Sequence, residues 1–237
     1  MNPALLRVGI NNERKGWVKS KVSKTAIVLL SGGLDSATVL YYAKALGYKC
    51  QVLIFDYGQR HGQEVACAVK IAKACGCAYR ILKIKFPWKG SALLDKKIKI
   101  PEEITSGVPV TYVPARNIIF LSFALSLAEV IKAKSIFIGA HAQDYSGYPD
   151  CRPEFFKAFV KMAKVGLSAK HKIKILVPLL NKSKSQIISL GRKLGLPFSL
   201  TWSCYRAGKS PCGKCDSCYY RAKGFKEAGL IDPLVNR

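Results

Sequence analysis

Residues 25 to 36 read TAIVLLSGGLDS, and this stretch decides the fold of the chain. The apolar run from Thr25 to Leu30 passes directly into a turn with two glycines, and a helical pattern begins at Asp35. Strand, glycine turn and helix in this order begin a βαβ unit. Glycines let the backbone turn tightly and approach a ligand, and the unpaired N–H groups at a helix start attract an anion. The stretch therefore predicts a phosphate-binding loop after the first strand.

The rest of the chain repeats this alternation of short apolar runs and helix-length segments. We predict strands over residues 25–30, 49–55, 79–86, 135–140 and 173–177, and helices over 35–46, 60–75, 116–132, 154–166 and 183–194. Strands that are apolar on both faces are typical of a parallel sheet between two layers of helices. The sequence predicts an α/β fold with a Rossmann-like parallel sheet of about five strands, covered by helices on both faces.

Composition divides the chain into three predicted parts. Residues 1–24 form a basic N-terminal arm, residues 25–200 the α/β domain, and residues 201–237, rich in Cys, Lys, Gly and Arg, a small C-terminal module. The arm lacks the apolar centre of a secretory signal, and no apolar run approaches the roughly 20 residues that span a bilayer. Five of the nine cysteines are scattered, as in a protein with reduced thiols. We therefore expect a cytoplasmic protein without a membrane segment.

The charge of the chain is strongly positive. Its 39 Lys and Arg residues outnumber 14 Asp and Glu residues, which gives a net charge of +25. A positive electrostatic field attracts nucleic acid, nucleotides or acidic membrane surfaces. The charge alone does not distinguish among these partners. A solvated, lysine-rich surface without any partner is equally consistent with the composition.

Four cysteines near the C-terminus form a separate pattern, C-x7-C-x2-C-x2-C. They are Cys204, Cys212, Cys215 and Cys218. Four thiolates can close a tetrahedral shell around zinc and leave no position open for water, which indicates a structural metal. An iron–sulfur cluster can use the same ligands, whereas two disulfides are disfavoured inside a cell. The fold prediction therefore includes a small C-terminal zinc-binding module.

The polar residues of the glycine turn add to its chemistry. Ser31 and Ser36 supply hydroxyl donors for a phosphate, and Asp35 can hold Mg²⁺ or orient a nucleotide. The alternative is an ordinary glycine turn that Ser31 or Asp35 caps. A second glycine motif, Gly208 to Ser210, lacks the first glycine that a Walker loop requires.

The hexapeptide SGGLDS resembles the pyrophosphate-binding loop, SGGxDS, of the ATP pyrophosphatase superfamily. Three further motifs follow predicted strands, where open α/β sheets bind ligands. They are FDYGQRH at 55–61, VPARN at 113–117 and DYSGYPDCRPEF at 144–155. With the four cysteines, these motifs resemble the 7-cyano-7-deazaguanine synthase family from about Thr25 to Pro233. The chain departs from the family at Ala115, where glycine is common, and in its additional N-terminal arm.

This resemblance implies an ATP-dependent ligase of queuosine biosynthesis. Such a ligase converts 7-carboxy-7-deazaguanine and ammonia to 7-cyano-7-deazaguanine through an adenylated acid and an adenylated amide, and it releases AMP and pyrophosphate. The resemblance also implies Mg²⁺, structural zinc and a homodimer. The ATP-binding residues that it implies are Leu30, Ser31, Gly32, Gly33, Leu34, Asp35, Ser36, Ala37, Thr38, Val39 and Leu40.

The residues that would contact the deazapurine are candidates only. Asp35, Arg116 and Asp150 are the predicted catalytic residues. The candidate substrate-binding residues are Arg116, Asp144, Tyr148, Asp150, Arg152 and Glu154. A carboxylate could accept hydrogen bonds from the N–H groups of the heterocycle, and an arginine could pair with its carboxylate. His61 and His141 are candidate general bases, with ordinary structural histidines as the alternative.

Two other functions stay open at this point. A superfamily enzyme that adenylates a base within tRNA would suit the net charge, although no RNA-binding domain is appended. A non-catalytic, zinc-dependent nucleic-acid-binding module would use the basic arm and the C-terminal module, but it would have no need for the SGGLDS loop. Small-molecule substrates and a homodimer are therefore the expected partners.

Overall fold

A computed structural model describes residues 24–60, 62–102, 107–141, 147–168, 172–206, 208 and 210–235. Within these residues the chain alternates strands and helices as the sequence predicts. The elements are β1 (Thr25–Leu29), α1 (Leu34–Ala45), β2 (Lys49–Asp56), α2 (Gln63–Ala74), β3 (Ala78–Lys83), α3 (Arg116–Val130), β4 (Ser135–Phe137), α4 (Pro153–Gly166), β5 (Lys174–Leu176), α5 (Lys184–Lys193) and α6 (Asp216–Glu227). The basic arm predicted for residues 1–24 lies outside the described residues except for Lys24.

The five strands form one parallel sheet in the order β3-β2-β1-β4-β5. Ile27 pairs with Gln51 of β2 on one side and with Ile136 of β4 on the other. The chain therefore moves outward from β1 in one direction through β2 and β3, and in the other through β4 and β5. Open α/β sheets bind ligands at such a reversal, beyond the carboxyl ends of the strands. The predicted α/β fold is confirmed.

The core lies on both faces of the sheet because side chains alternate along each strand. Val28 belongs to a cluster with apolar residues of α1, α2 and α5, whereas Ile27 belongs to a cluster with residues of α3 and α4. Both side chains are completely buried. This two-sided burial accounts for strands that read as continuous apolar runs. No helix among the described residues is both long and apolar enough to cross a membrane.

The C-terminal part of the chain contains a helix that the sequence analysis does not predict. This helix, α6, packs against α5 so closely that a Cβ atom on Gly224 would lie 2.4 Å from Cγ of Lys184. Buried Arg221 of α6 forms an ion pair with Asp232, with its Nε 2.7 Å from Oδ2, and donates to Oγ1 of Thr201 at 2.8 Å. These contacts join α6 to the α/β core. The division at residue 200 stays a prediction.

The glycine turn after β1 packs against the start of α2. Gly32 has φ of +87°, and a Cβ atom at this position would lie 2.1 Å from the carbonyl oxygen of Glu64. The turn therefore needs glycine for two reasons, the left-handed backbone and the close approach of α2. Gly47, after α1, has a similar φ of +82° but no atom within 4 Å of a Cβ position.

Replacing each of these two glycines by alanine separates the two reasons. We expect Gly47→Ala to cost about 1 kcal/mol of unfolding free energy from the left-handed backbone. Gly32→Ala should cost at least about 2 kcal/mol more, because α2 must also move to relieve the clash. Urea-induced unfolding of the two variants measures the difference. Equal losses would contradict the packing of the turn against α2.

Candidate active site

A cavity of about 320 Å³ opens at the carboxyl ends of the central strands. Its walls come from the glycine turn, the ends of β2 and β4, the starts of α2 and α3, and the C-terminal part of the chain. The segment between β3 and α3 adds Leu93 and Pro109 to the lining. Arg60 holds this segment, because its guanidinium donates to the carbonyl oxygens of Ala92 and Ile98 at 3.1 and 2.9 Å. The cavity lies where the sheet order reverses, as the fold leads one to expect.

The glycine turn presents a helix start to this cavity. Gly33, the residue before α1, has no side chain to cap the helix, so the first N–H groups of α1 have no side-chain partner. The hydroxyl of Ser36 donates to the carbonyl oxygen of Gly33 at 3.1 Å and lies 3.0 Å from the hydroxyl of Ser31, which fixes the turn. This geometry fits an anion such as a phosphate.

The predicted ATP-binding stretch divides into two groups in the structure. Leu30, Ser31, Gly33, Leu34, Asp35 and Ser36 line the cavity. Gly32 supports the turn against α2. Ala37, Thr38, Val39 and Leu40 are completely buried inside the protein and do not belong to the lining. These four residues hold α1 in place, so ATP contacts are expected from Leu30 to Ser36.

Asp35 is bound to a lysine that the sequence analysis missed. Nζ of Lys184, the first residue of α5, lies 2.8 and 2.9 Å from the two carboxylate oxygens of Asp35. The same Nζ lies 2.9 Å from Nε2 of His141, which follows β4. Burial alone would raise the pKa of Asp35, but the charges of Lys184 and His141 hold it well below its ordinary range. Asp35 is thus a carboxylate that holds a lysine beside the glycine turn.

A second charged cluster lies on another wall of the cavity. The guanidinium of Arg116, at the start of α3, donates to the hydroxyl of Tyr57 at 3.1 Å. Glu64, in the first turn of α2, also lines the cavity, and burial raises its pKa to about 7 against the opposing charge of Arg116. Ala115, which precedes α3, has φ of +57°, in the left-handed region. This backbone explains why glycine suits position 115.

The structure places the other predicted substrate residues in different surroundings. Tyr148 lines the cavity and its hydroxyl lies 3.1 Å from that of Thr111. Asp150 is buried outside the lining, and its Oδ2 accepts from the backbone N–H of Asn117 at 2.9 Å. Because this N–H belongs to the first turn of α3, Asp150 fixes the helix that carries Arg116. Arg152 and Glu154 also lie outside the lining, at the start of α4. Asp144 and His61 lie outside the described residues.

The four predicted metal ligands come together. The sulfur atoms of Cys204, Cys212, Cys215 and Cys218 all lie within 4.8 Å of one another and form a cluster that could hold one metal ion. Sγ of Cys212 and Sγ of Cys218 are 3.9 Å apart, near the roughly 3.8 Å edge of a tetrahedron with zinc–sulfur bonds of about 2.3 Å. Backbone N–H groups of Arg206 and Cys212 donate to the sulfur of Cys204 at 3.3 and 3.4 Å. None of these four cysteines lines the cavity.

The sheet order and the turn after β1 define a doubly wound α/β protein with a cavity at its switch point. The model of the family described as queuosine biosynthesis protein QueC matches residues 25–229, and the chain belongs to this family. The 7-cyano-7-deazaguanine synthase of Nostoc punctiforme is 49% identical over 220 residues, which are 89% of this chain and 98% of the relative. That of Pseudomonas putida is 52% identical over 217 residues, 89% and 97% of the two chains. The family resemblance read from the sequence is confirmed.

The chain also resembles solved structures at low sequence identity. The NMN synthetase of Francisella tularensis is 15% identical and has a TM-score of 0.48 over 89% of this chain and 79% of that one. This similarity is too low to support a conclusion about function.

Replacing Lys184 by methionine tests its place beside the phosphate-binding turn. The change removes the charge and keeps most of the stem that packs against Gly224. We expect ATP binding to weaken about 10- to 100-fold, as for the loss of one charge-assisted hydrogen bond. Isothermal titration with ATP and Mg²⁺ measures the change. Lys182→Met, two residues earlier and outside the lining, is the matched control, and equal affinities in the two variants would contradict the assignment.

Proposed function

We propose that this protein is an ATP-dependent carbon–nitrogen ligase that converts 7-carboxy-7-deazaguanine and ammonia to 7-cyano-7-deazaguanine in queuosine biosynthesis. Relatives that are about half identical over nearly their whole length carry the name of this synthase. The observation that carries the proposal is the presence of a phosphate-binding turn and a half-buried arginine, Arg116, in one cavity. The turn can bind the phosphates of a nucleotide, and the arginine can bind the carboxylate of an acid.

The chemistry explains why such an enzyme needs both. A carboxylate is a poor acyl donor because its leaving group would be oxide. Transfer of AMP to the acid oxygen converts that oxygen into a good leaving group, and pyrophosphate departs from ATP. The uncapped N–H groups of α1 and the ammonium of Lys184 would stabilise the charge that develops on the phosphates. No side-chain nucleophile is required.

Magnesium would enter this site with the phosphates of ATP. Magnesium in proteins takes one or two carboxylates together with phosphate oxygens, and Asp35 is the carboxylate beside the turn. Lys184 donates to both oxygens of Asp35, yet each carboxylate oxygen keeps a further lone pair for a cation. Bound magnesium would neutralise phosphate charge during transfer of AMP.

Arg116 would hold the carboxylate of the deazapurine. Arg116 lines the cavity, and one nitrogen of its guanidinium donates to the hydroxyl of Tyr57 at 3.1 Å. Arginine binds a carboxylate in a planar, two-point geometry, which would keep the acid oxygen aimed at the α-phosphate. Tyr148 would contribute to the wall beside the heterocycle. Asp150 would act through Arg116, since it fixes the first turn of α3.

The same site would serve two rounds of activation. Ammonia attacks the adenylated acid to give an amide, with AMP as the leaving group. A second ATP then transfers AMP to the amide oxygen, and loss of this oxygen with AMP leaves the nitrile. Both rounds need AMP transfer to an oxygen on the same carbon, so one phosphate-binding turn suffices.

Zinc is the metal that the four cysteines fit best. Their sulfur atoms surround a single point, whereas an iron–sulfur cluster would spread its ligands over several iron atoms. Four thiolates leave no position open on zinc, so the metal would stabilise the C-terminal part of the chain without joining the reaction. Cys215 directly precedes α6, and Cys218 lies in its first turn. Zinc would therefore fix the start of that helix.

A homodimer in the cytoplasm completes the proposal. Val130 at the end of α3 and Val165 near the end of α4 are 76% and 88% exposed. The two helix ends are neighbours, because the backbone N–H of Ser168 donates to Glu129 at 3.0 Å. This apolar surface would suit a second copy of the chain, as sedimentation velocity can test. The nine free cysteines suit a reducing compartment.

The direct test is mass spectrometry of the products from purified protein, ATP, Mg²⁺, ammonium and 7-carboxy-7-deazaguanine. We expect 7-cyano-7-deazaguanine with two AMP and two pyrophosphate per nitrile. Reactions without the acid or without ammonium are the controls. Pyrophosphate release that requires tRNA in place of the free acid would contradict the proposal.

Replacing Cys215 by serine tests the role of zinc. We expect the zinc content to fall from about one ion per chain to near zero, and the unfolding free energy to fall by on the order of 5 kcal/mol. Cys75→Ser, at the end of α2 and away from the cluster, should keep its zinc and most of its stability. Metal analysis and thermal unfolding measure both effects. Normal zinc content in Cys215→Ser would show that this thiol is not a ligand.

A further inference from the structure

Glu64 occupies a position in the cavity that the reaction described so far does not use. Its carbonyl oxygen is the atom that a Cβ on Gly32 of the phosphate-binding turn would approach most closely. Glu64 lines the same cavity, and its carboxylate makes no hydrogen bond or ion pair within 4 Å to any of the described residues. A carboxylate without a partner at such a position is free to meet a molecule that enters the cavity.

Glu64 is linked both to the glycine turn and to Arg116. The residue contacts the phosphate-binding turn through its backbone, and its carboxylate interacts electrostatically with Arg116. The turn would hold the phosphates of ATP and Arg116 would hold the acid. The acyl adenylate forms where these two partners meet, so Glu64 lies next to the carbon that ammonia must attack.

The other titratable groups of the described cavity are less suited to take up a proton. Nε2 of His141 lies 2.9 Å from the ammonium of Lys184 and 3.5 Å from Asp35. Both oxygens of Asp35 accept hydrogen bonds from Lys184. One carboxylate oxygen of Asp216 is completely enclosed by protein at the start of α6. Of these carboxylates, Glu64 is the one that lines the cavity without a hydrogen-bond partner and also interacts with Arg116.

We propose that Glu64 is the general base of two steps, amide formation and nitrile formation, an assignment that rests on the proposed function. Ammonium is the main form of ammonia at neutral pH, and it has no lone pair for attack. The Glu64 carboxylate takes one proton from ammonium, and the freed lone pair forms the carbon–nitrogen bond. The bond from carbon to the adenylate oxygen breaks, AMP leaves with that electron pair, and a second proton from nitrogen leaves with AMP.

Glu64 acts again after the second adenylation. It first returns its proton to solvent. It then takes one proton from the nitrogen of the adenylated amide, the remaining N–H proton leaves with AMP, and the nitrile forms as the carbon–oxygen bond breaks. Burial raises the pKa of Glu64 to about 7, which suits a group that must both accept and release protons near neutrality.

The test uses Glu64→Gln, which keeps the shape of the side chain and removes the base. Acid-dependent exchange of labelled pyrophosphate into ATP reports adenylation without ammonia, and we expect it to change less than about threefold. Amide and nitrile formation from ammonium should fall about 100-fold or more. Hydroxylamine is uncharged at neutral pH and needs no prior deprotonation, so it should trap the acyl adenylate as the hydroxamate at the wild-type rate.

Glu227→Gln removes an exposed carboxylate from α6 and is the matched control, with every rate unchanged. If Glu64→Gln does not fold, Glu64→Ala with added acetate replaces it, and acetate should restore amide formation. Equal loss of hydroxamate and amide would overturn the assignment, because it would show a general defect of the site. Unchanged amide formation would also overturn it. A wild-type protein without acid-dependent exchange would instead contradict the proposed function.

Discussion

The ion pair between Asp35 and Lys184 joins two parts of the chain that are 149 residues apart. Asp35 lies in the first turn of α1, directly after the glycine turn, and Lys184 begins α5. The stem of Lys184 in turn packs against Gly224 of α6. This one pair therefore connects the glycine turn, the second half of the chain and the C-terminal helix. A half-buried pair with two hydrogen bonds is costly to break from one side only.

The sheet topology explains why the charged groups meet there. β1 lies at the centre, β2 on one side and β4 on the other, so their carboxyl ends meet at one edge. Tyr57 follows β2, and His141 follows β4. A Cβ atom on Gly139 would lie 3.0 Å from the backbone nitrogen of Ser36, which shows how closely the end of β4 approaches the start of α1. Segments distant in sequence therefore form one cavity, which carries several charged side chains, above an apolar sheet.

The sequence predicted the sheet, its helices and the glycine turn because each depends on a local pattern. The cysteine cluster could also be predicted from the sequence, since its four cysteines lie within fifteen residues of one another. Lys184 was not predicted, because one lysine among many carries no local sign of a distant aspartate. Glu64 was missed because its pKa depends on burial in a wall that only the folded chain forms. Asp150 belongs to a recognisable motif, yet sequence could not distinguish contact with substrate from support of α3. α6 was missed because its sequence, rich in polar residues, has a weak apolar period.

We propose that the turn after β1 positions ATP so that an oxygen of the acid departs on AMP. Oxygen-18 in the carboxylate of 7-carboxy-7-deazaguanine follows that atom directly. Mass spectrometry of the AMP formed with the labelled acid is the measurement. We expect both labelled oxygens to be recovered in AMP, one in each of the two molecules formed per nitrile. Label found in pyrophosphate, in phosphate or in water, with none in AMP, would contradict it.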